Sequence, residues 1–409
     1  MPLDKNLIEN MNSTGREIYV ADQGDEYLGA LRWLPGTWEN TSELKGHGFN
    51  MIALPFISDP NNPRENGYRL LMNQYEEILS FELVDKGVPN RGSKSVRDPA
   101  TGQIVTLQDD QTVVALTYEQ VVTQIDFEDS YLENFSGTTS KLSKTNISAV
   151  FNKNPIHHEP GLWLHMTDKN IFRDNGVELS IARMGSIPHG NSFTAVGSSR
   201  EIKWEQIPAD QKPNLIPNIN GVVVGGGSDP DERALDPLFN PNTGDIDIDY
   251  FAPYRYFHNN PFKGSVNIDG FSGFEPVDTT LLLRNSFEKI LDKIGTIKNV
   301  TRLHVDSTID HAGINRVANP SIGNTPFITR QSDATAMNCT FIIYEIEDSS
   351  TGNLRYFLQY AQNVILDFIG RPDGHPGRAR WPHVSINTLE RVSGASPKAI
   401  MKAFSSRPE

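Results

Sequence analysis

Apolar and polar residues alternate with a period of two along most of this chain from Leu31 onward. Gly48–Leu54, Tyr68–Val84 and Thr112–Phe127 combine aromatic and β-branched residues with partial alternation, the pattern of half-buried strands. Gly161–Met166, Val177–Met184 and Ser192–Val196 continue it, and Asn299–Thr308, Ala336–Glu347, Leu354–Phe368 and Arg380–Val392 carry it to the end. Turn-rich pieces separate them: Ser58–Pro63, Pro89–Gly92, and Asp348–Asn353, which joins two of the strands as a hairpin. The clearest helical period is at Thr279–Ile294, where Leu283, Phe287, Ile290, Leu291 and Ile294 share a face behind Asp278 as N-cap. Strands that follow one another without alternating helices predict an all-β class, an antiparallel barrel or sandwich.

The same reading divides the chain. Residues 1–29 form a polar N-terminal arm with a short helix. Residues 30–392 form one enlarged barrel domain, and 393–409 a tail. Residues 200–276 break the pattern with proline, glycine and little periodicity, and are expected to be an irregular insertion or long lid. Inside it, Gly225-Gly226-Gly227-Ser228 is followed by no helical pattern, which excludes a dinucleotide fingerprint. Asp245-Ile246-Asp247-Ile248-Asp249 lacks the glycine and distal glutamate of an EF-hand loop and reads as a solvated strand face or loop.

Composition narrows the function classes. The 409 residues carry a net charge of −14 with no basic stripe, so a nucleic-acid partner is not expected. No run of 18 apolar residues exists and the N-terminus lacks the shape of a signal peptide. Neither a membrane partner nor glycosylation is therefore expected. The single cysteine, Cys339, excludes intrachain disulfides, thiolate zinc sites and covalent heme attachment; in a strand it reads as a buried inert thiol. A free thiol without a signal peptide points to the cytoplasm.

Several residues could carry chemistry. In a strand, His383, Ser385 and Asn387 share one face and Val384 and Ile386 the other. His383 is either a lumen imidazole able to ligate a metal cofactor or a hydrogen-bonded histidine at a barrel mouth. His189, between Pro188 and Gly190, sits in a tight turn, either as a rim acid–base group or as a turn residue capping backbone. Arg91, in Pro89-Asn90-Arg91-Gly92, is either an anion ligand or an exposed loop arginine. Of the adjacent His157 and His158, at most one can face a lumen, so a His-His-Glu metal site with Glu159 is geometrically poor. His304 and Asp306 share a face, as an orienting pair or as a polar outer wall. Tyr356, Leu358, Tyr360, Gln362 and Val364 share a mixed face suited to a lumen, while Arg355, Gln359, Asn363 and Asp367 opposite look solvated.

Gly36-Thr37-Trp38 with Gly46-His47-Gly48-Phe49, then Glu159-Pro160-Gly161-Leu162-Trp163-Leu164, then Trp381-Pro382-His383-Val384-Ser385 resemble, in this order, the opening, middle and closing strands of the nitrobindin-like heme-binding β-barrels. Val88–Gly92, Ser186–Gly190 and Gly323–Phe327 fit a larger bacterial and fungal branch of that family, so the resemblance covers about residues 31–392. It implies a lipocalin/nitrobindin-like barrel that binds heme b, with His383 as the proximal iron ligand. It further implies a small ligand or oxidant at the iron: nitric oxide, peroxynitrite or peroxide, with peroxidase-like or isomerase-like activity. His189 is then the distal acid–base group and Arg91 a propionate or anion ligand. Trp38, Trp163 and Trp381 flank the cofactor or fill the core, and His47 approaches it between its two glycines. The alternatives are a heme-free carrier of an apolar small molecule and a heme-independent lumen enzyme using His189, His304 and Asp306. A homodimer is compatible with all three.

Overall fold

The computed structural model describes residues 26–57, 66–90, 93–108, 111–129, 155–166, 173–174, 177–187, 190–218, 223–226, 232–234, 252–309, 321–325, 332–370 and 378–393. Eleven strands build the main wall. They are β1 (Gly36–Glu39), β2 (Gly48–Ile57), β3 (Asn66–Asn90), β4 (Gln111–Asp129), β5 (Pro155–Met166) and β6 (Ile181–Ile187). Then come β7 (Asn191–Lys203), β8 (Gly295–Asp306), β9 (Asp333–Asp348), β10 (Leu354–Gly370) and β11 (Arg378–Ser393). Each pairs antiparallel with its neighbours, and β1 and β2 together occupy one place between β3 and β11, so a ten-place barrel closes on itself. Closure leaves the main wall no open edge. The expected all-β barrel is the observed one.

The barrel's two ends differ. At one end a 3-10 helix (Glu26–Trp33) closes the lumen. The helix is kinked at Gly29, whose backbone is non-helical, and Leu28, Leu31 and Leu34 are all 0 % exposed within the lumen cluster. Gly29, at φ 52, lies flush on the wall, where an added Cβ would stand 2.5 Å from the His165 ring. At the opposite end β2 passes to β3, β4 to β5, β6 to β7 and β10 to β11.

Core packing occurs on both faces of the wall. Trp38, Phe81, Tyr118, Trp163, Phe341 and Tyr360 fill the lumen. Outside, helix α1 (Ala252–Asn259) and helix α2 (Leu281–Ser286) cover two further clusters with their flanking segments. In the first, Tyr254, Phe257, Phe262 and Leu283 pack with Phe49, Met72 and Val384, and the cluster also takes in Trp381, which alternation puts on the opposite face of β11. The second joins Leu291 and Ile207 to Val300, Ile342, Tyr344 and Phe357. This explains the unbroken apolar run Phe341-Ile342-Ile343-Tyr344: a strand covered on both faces has no solvent face to keep polar. It also corrects the expectation for β10, whose second face is not solvated. Gln359 is 0 % and Asn363 3 % exposed, and the Gln359 amide donates to the Leu283 carbonyl.

The region read as an irregular insertion begins later than expected, since β7 runs on to Lys203. It contains α1, which its short, aromatic-rich sequence did not reveal. The helix expected at Thr279–Ile294 forms, though its middle is a π-helical turn, Phe287–Leu291, and its N-cap is Thr280 without a side-chain cap. The Asp348–Asn353 hairpin turn is as expected: Asp348 Oδ1 accepts from the Ser350 amide, and Gly352 takes φ 71. No helix among the described residues is long and apolar enough to cross a membrane.

Candidate functional site

Two buried polar networks occupy the middle of the lumen. In the first, Arg183 on β6 donates from Nη2 to Glu159 on β5 at 2.7 Å and from Nη1 to Gln362 Oε1 on β10 at 2.8 Å. Since β5 and β10 are five places apart in a ring of ten, Glu159, Arg183 and Gln362 form a bar across the full width of the barrel. Its centre is caged by aromatic rings, with the guanidinium 4.9 Å from the Tyr118 centroid, 5.5 Å from Phe193 and Phe341, and 5.8 Å from Trp163. The Tyr118 hydroxyl donates to Glu159 Oε1. Gly161 and Gly185 leave room for the Tyr118 ring, which an added Cβ at either position would meet within 2.6 Å.

The charges in this bar are fixed by each other. Burial alone would push the Glu159 carboxyl upward, but the Arg183 charge, with hydrogen bonds from His157 and Tyr118, outweighs it and holds the group at about 2. Arg183 is held above its ordinary range against the effect of burial by Tyr118 and Glu159. Cys339 receives a hydrogen bond from Arg183 at 3.4 Å, yet burial pushes its thiol up to about 12. A thiol that is neither ionised nor exposed is unreactive. Cys339 is expected to resist a disulfide reagent at pH 8 in the folded protein and to react stoichiometrically once urea unfolds it. Rapid labelling of the native state would overturn this.

The second network centres on Glu77 of β3, which is 1 % exposed. It accepts from the Tyr360 hydroxyl at 2.6 Å, from Gln120 Nε2 at 2.7 Å and from Asn387 Nδ2 at 2.9 Å. Tyr75 bonds Tyr360 at 2.9 Å, over the space Gly48 leaves for its ring. Burial raises the Glu77 carboxyl above its ordinary value despite these donors. Towards the open end, Asn50, Asn73 and Gln124 extend the belt in a chain of amides.

The expected site residues separate into groups. His383 pairs with Val364 on β10 and is half-buried. By alternation it shares the lumen face of Asn387, which reaches Glu77. It stands where β11 changes partner: the ladder to β2 ends at Val384–Met51, and Arg380 already pairs with Gly225 of the 223–226 strand. Of the two adjacent histidines, His157 bonds Glu159 at 3.3 Å and His158 bonds Glu119 at 2.8 Å on the exposed face, so one faces inward, as strand geometry requires. His304 and Asp306 lie on the outer wall, opposite Leu303 and Val305 of the lumen cluster, with His304 bonded to Thr340. A lumen enzyme built on them is therefore not supported.

Trp38 and Trp163 lie away from His383, whereas Trp381 is two residues from it on the same strand face. Trp38 packs at the closed end and donates to the Leu34 carbonyl, Trp163 lies against the Arg183 cage, and Trp381 is stacked with Phe368 and Tyr254 in the cluster under α1. All three are fully buried as packing residues. His47 precedes β2 and shares the alternation of Phe49 and Met51, whose side chains pack under the α1 region. It is 4 % exposed, burial lowers its basicity, and it has no route to the lumen face. His189 and Arg91 lie outside the described residues.

Sequence reasoning passed over Glu77 and Arg183 as chemistry and weighed Glu159 only in a His-His-Glu metal site. Glu159 and Trp163 on β5 and Arg183 on β6 could have been found as charged residues in register with lumen aromatics, since Arg183 pairs with Trp163. Among the described residues no group of three His, Cys, Asp or Glu side chains is placed to hold a metal ion. A depression of about 590 Å³ runs along Leu162, Met184, Ser192 and Ser321 without an ionisable side chain, and Gly161, Gly185 and Phe193 beside the Arg183 cage also line it. The chain matches no family model, no curated protein and no solved structure. Its class rests on the fold: a closed ten-place antiparallel barrel with a polar belt across its lumen.

Proposed function

We propose that this barrel binds heme b at the end away from the 3-10 helix, with the His383 imidazole as the iron ligand. The observation that carries the reading is the position of His383. It is a half-buried histidine on the lumen face, at the end away from the helix that closes the barrel. Neutral imidazole is a strong ligand for heme iron. His383 is the donor that supports this reading, and Trp381, two residues away on the same strand face, is stacked with Phe368 and Tyr254 beside it. Deeper in, the bar from Glu159 to Gln362 and the Tyr75–Tyr360 bond already span the lumen. The same belt argues against an apolar carrier, which needs a continuous greasy lumen. Bound heme would supply an open coordination position for a small ligand or oxidant such as nitric oxide, peroxynitrite or peroxide.

The test is titration of the purified protein with hemin, wild type beside His383→Ala. The wild type is expected to give a saturable Soret band at one hemin per chain, and His383→Ala to lose or shift it while keeping wild-type far-UV circular dichroism. A wild type without a saturable band sinks the heme reading.

A further inference from the structure

We infer that the hairpin of Ser93–Arg97 and Ile104–Gln108 docks its apolar face into the Leu162–Met184 depression of a second copy of this chain. Two copies exchange hairpins in this way about a two-fold axis. The inference is independent of the heme reading.

The hairpin lies between β3 and β4 and is a two-stranded sheet of its own. It has five cross-strand pairs, and among the described residues no third strand joins it. Its turn is firmly built. The Asp98 carboxylate accepts from the Ala100 amide at 2.7 Å, Arg97 Nη1 donates to the Gly102 carbonyl at 2.7 Å, and Gly102 takes φ 69. The tip is therefore held in shape, yet a lone two-stranded hairpin is marginal in water without a surface to pack on. Alternation shows which face wants that surface. Val96 pairs with Val105, and Leu107 follows on the same side. The other side carries Ser95, Arg97 and Thr106, with Ile104 beside the turn. A sheet with one apolar and one polar side normally buries the apolar one. Here Leu107 is 47 % exposed, so its own chain does not cover it.

The receiving surface has the matching character. Met184 points away from its neighbour Arg183, out of the lumen, and is 38 % exposed. It shares the depression of about 590 Å³ with Leu162 and Ile322, among the hydroxyls of Ser186, Ser192 and Thr194. Apolar residues exposed together in a recess mark an interaction site.

Charge selects a second copy as the occupant. Two chains of net charge −14 repel each other over most of their surfaces. This contact escapes that repulsion, because the described lining of the depression holds no ionisable side chain and residues 93–108 carry Lys94 and Arg97 against Asp98 alone. At the border of the depression Pro160 pairs with Glu119, whose carboxylate bonds His158 on the exposed face. An acid therefore stands where the hairpin brings its cations. Each copy owns one hairpin and one depression, so the reciprocal contact uses both and closes into a dimer.

The experiment is sedimentation equilibrium of wild type, Leu107→Asp, Met184→Asp and Thr106→Asp, with cysteine trapping beside it. The wild type is expected to be a dimer. Leu107→Asp and Met184→Asp weaken dimerisation by about 100-fold or more, since a two-fold dimer loses each contact twice, while Thr106→Asp on the polar side stays within about threefold. All keep wild-type far-UV circular dichroism. For trapping, Leu107→Cys and Met184→Cys are purified separately and mixed under oxidised glutathione. The mixture is expected to form a disulfide-linked dimer that neither variant forms alone. Cys339 adds no background, because it is buried with its thiol pushed up to about 12. A wild type that stays monomeric, a dimer untouched by both aspartates, or Leu107→Cys linking to itself, which puts hairpin against hairpin, overturns the inference. None of these outcomes alters the hemin titration.

Discussion

Replacing Arg183 with methionine is expected to cost about 3–5 kcal/mol of stability at pH 7, because it leaves Glu159 as a buried carboxylate with no counter-charge. Glu159 and Arg183 are 0 % and 2 % exposed at the side chain, so water cannot take over the lost partner. The pH dependence has a defined sign. In the wild type Glu159 is held at about 2, below its ordinary 4.5, so it contributes stability above pH 4.5 that disappears as pH falls towards 2. In Arg183→Met, burial is opposed only by the bonds from His157 and Tyr118, and the carboxyl rises. The deficit is then largest at neutral pH and shrinks towards pH 4.5. A second change, Glu159→Leu, is expected to recover much of the loss, since an apolar pair replaces a broken ionic one. Urea unfolding followed by tryptophan fluorescence at both pH values checks this. A deficit below 1 kcal/mol at pH 7, or one that grows on acidification, contradicts it.

Glu77→Leu is expected to cost a similar amount, about 3–5 kcal/mol, for a different reason: it removes an acceptor rather than a charge partner. Tyr360 and Gln120 lose the oxygen they donate to, and Asn387 keeps only Asn40. Glu77→Gln should stay within about 1 kcal/mol of wild type. Its amide oxygen still accepts from Tyr360 and Asn387. Rotating the Gln120 amide then offers the new N–H the Gln120 Oε1 atom, which is buried without a partner among the described residues. Because the folded protein raises the Glu77 carboxyl above 4.5, the native state holds a proton there that the unfolded chain has lost. Its contribution therefore falls as pH rises from 4.5 through the folded value, and Glu77→Gln removes that slope. Equal costs for the leucine and glutamine variants would refute the account.

The pair of carboxyls also bears on function. Glu77 and Glu159 lie in one lumen, yet one is pushed up by burial and the other held down by an arginine. Environments that separate two carboxyls in this way divide acid from base roles. Here the low one accepts a hydrogen bond from His157 and the high one from Tyr360.

Much of the wall was legible in the residues. Alternation located β2, β3, β4, β9, β10 and β11 within a few residues, because a half-buried strand must alternate. The Asp348–Asn353 turn carried its own signature in an aspartate and a late glycine. The lumen face of β10 was legible for the same reason, as was the division of His157 from His158. Other features were not. A 3-10 helix of eight residues has no long periodic pattern to find, and α1 is just as short. The outer face of β10 looked solvated because Gln359 and Asn363 are polar; they are buried because α2 and the residues before it lie over them.

The sequence by itself determined the all-β class of this protein: strand after strand of period two, with no crossover helices, predicts an antiparallel barrel or sandwich, and the tertiary structure decided for the closed barrel. It also put His383 on the face of Asn387, since side chains two and four residues apart share a face in any strand. Only the tertiary structure decided which polar residues matter. Glu159, Arg183 and Gln362 are separated by 24 and 179 positions along the chain and meet because the ring sets β5 opposite β10. Trp38, Trp163 and Trp381, which the motifs drew together, are held in three different places. Contact across a closed barrel depends on the number of strands and their register, and no local pattern of residues encodes it.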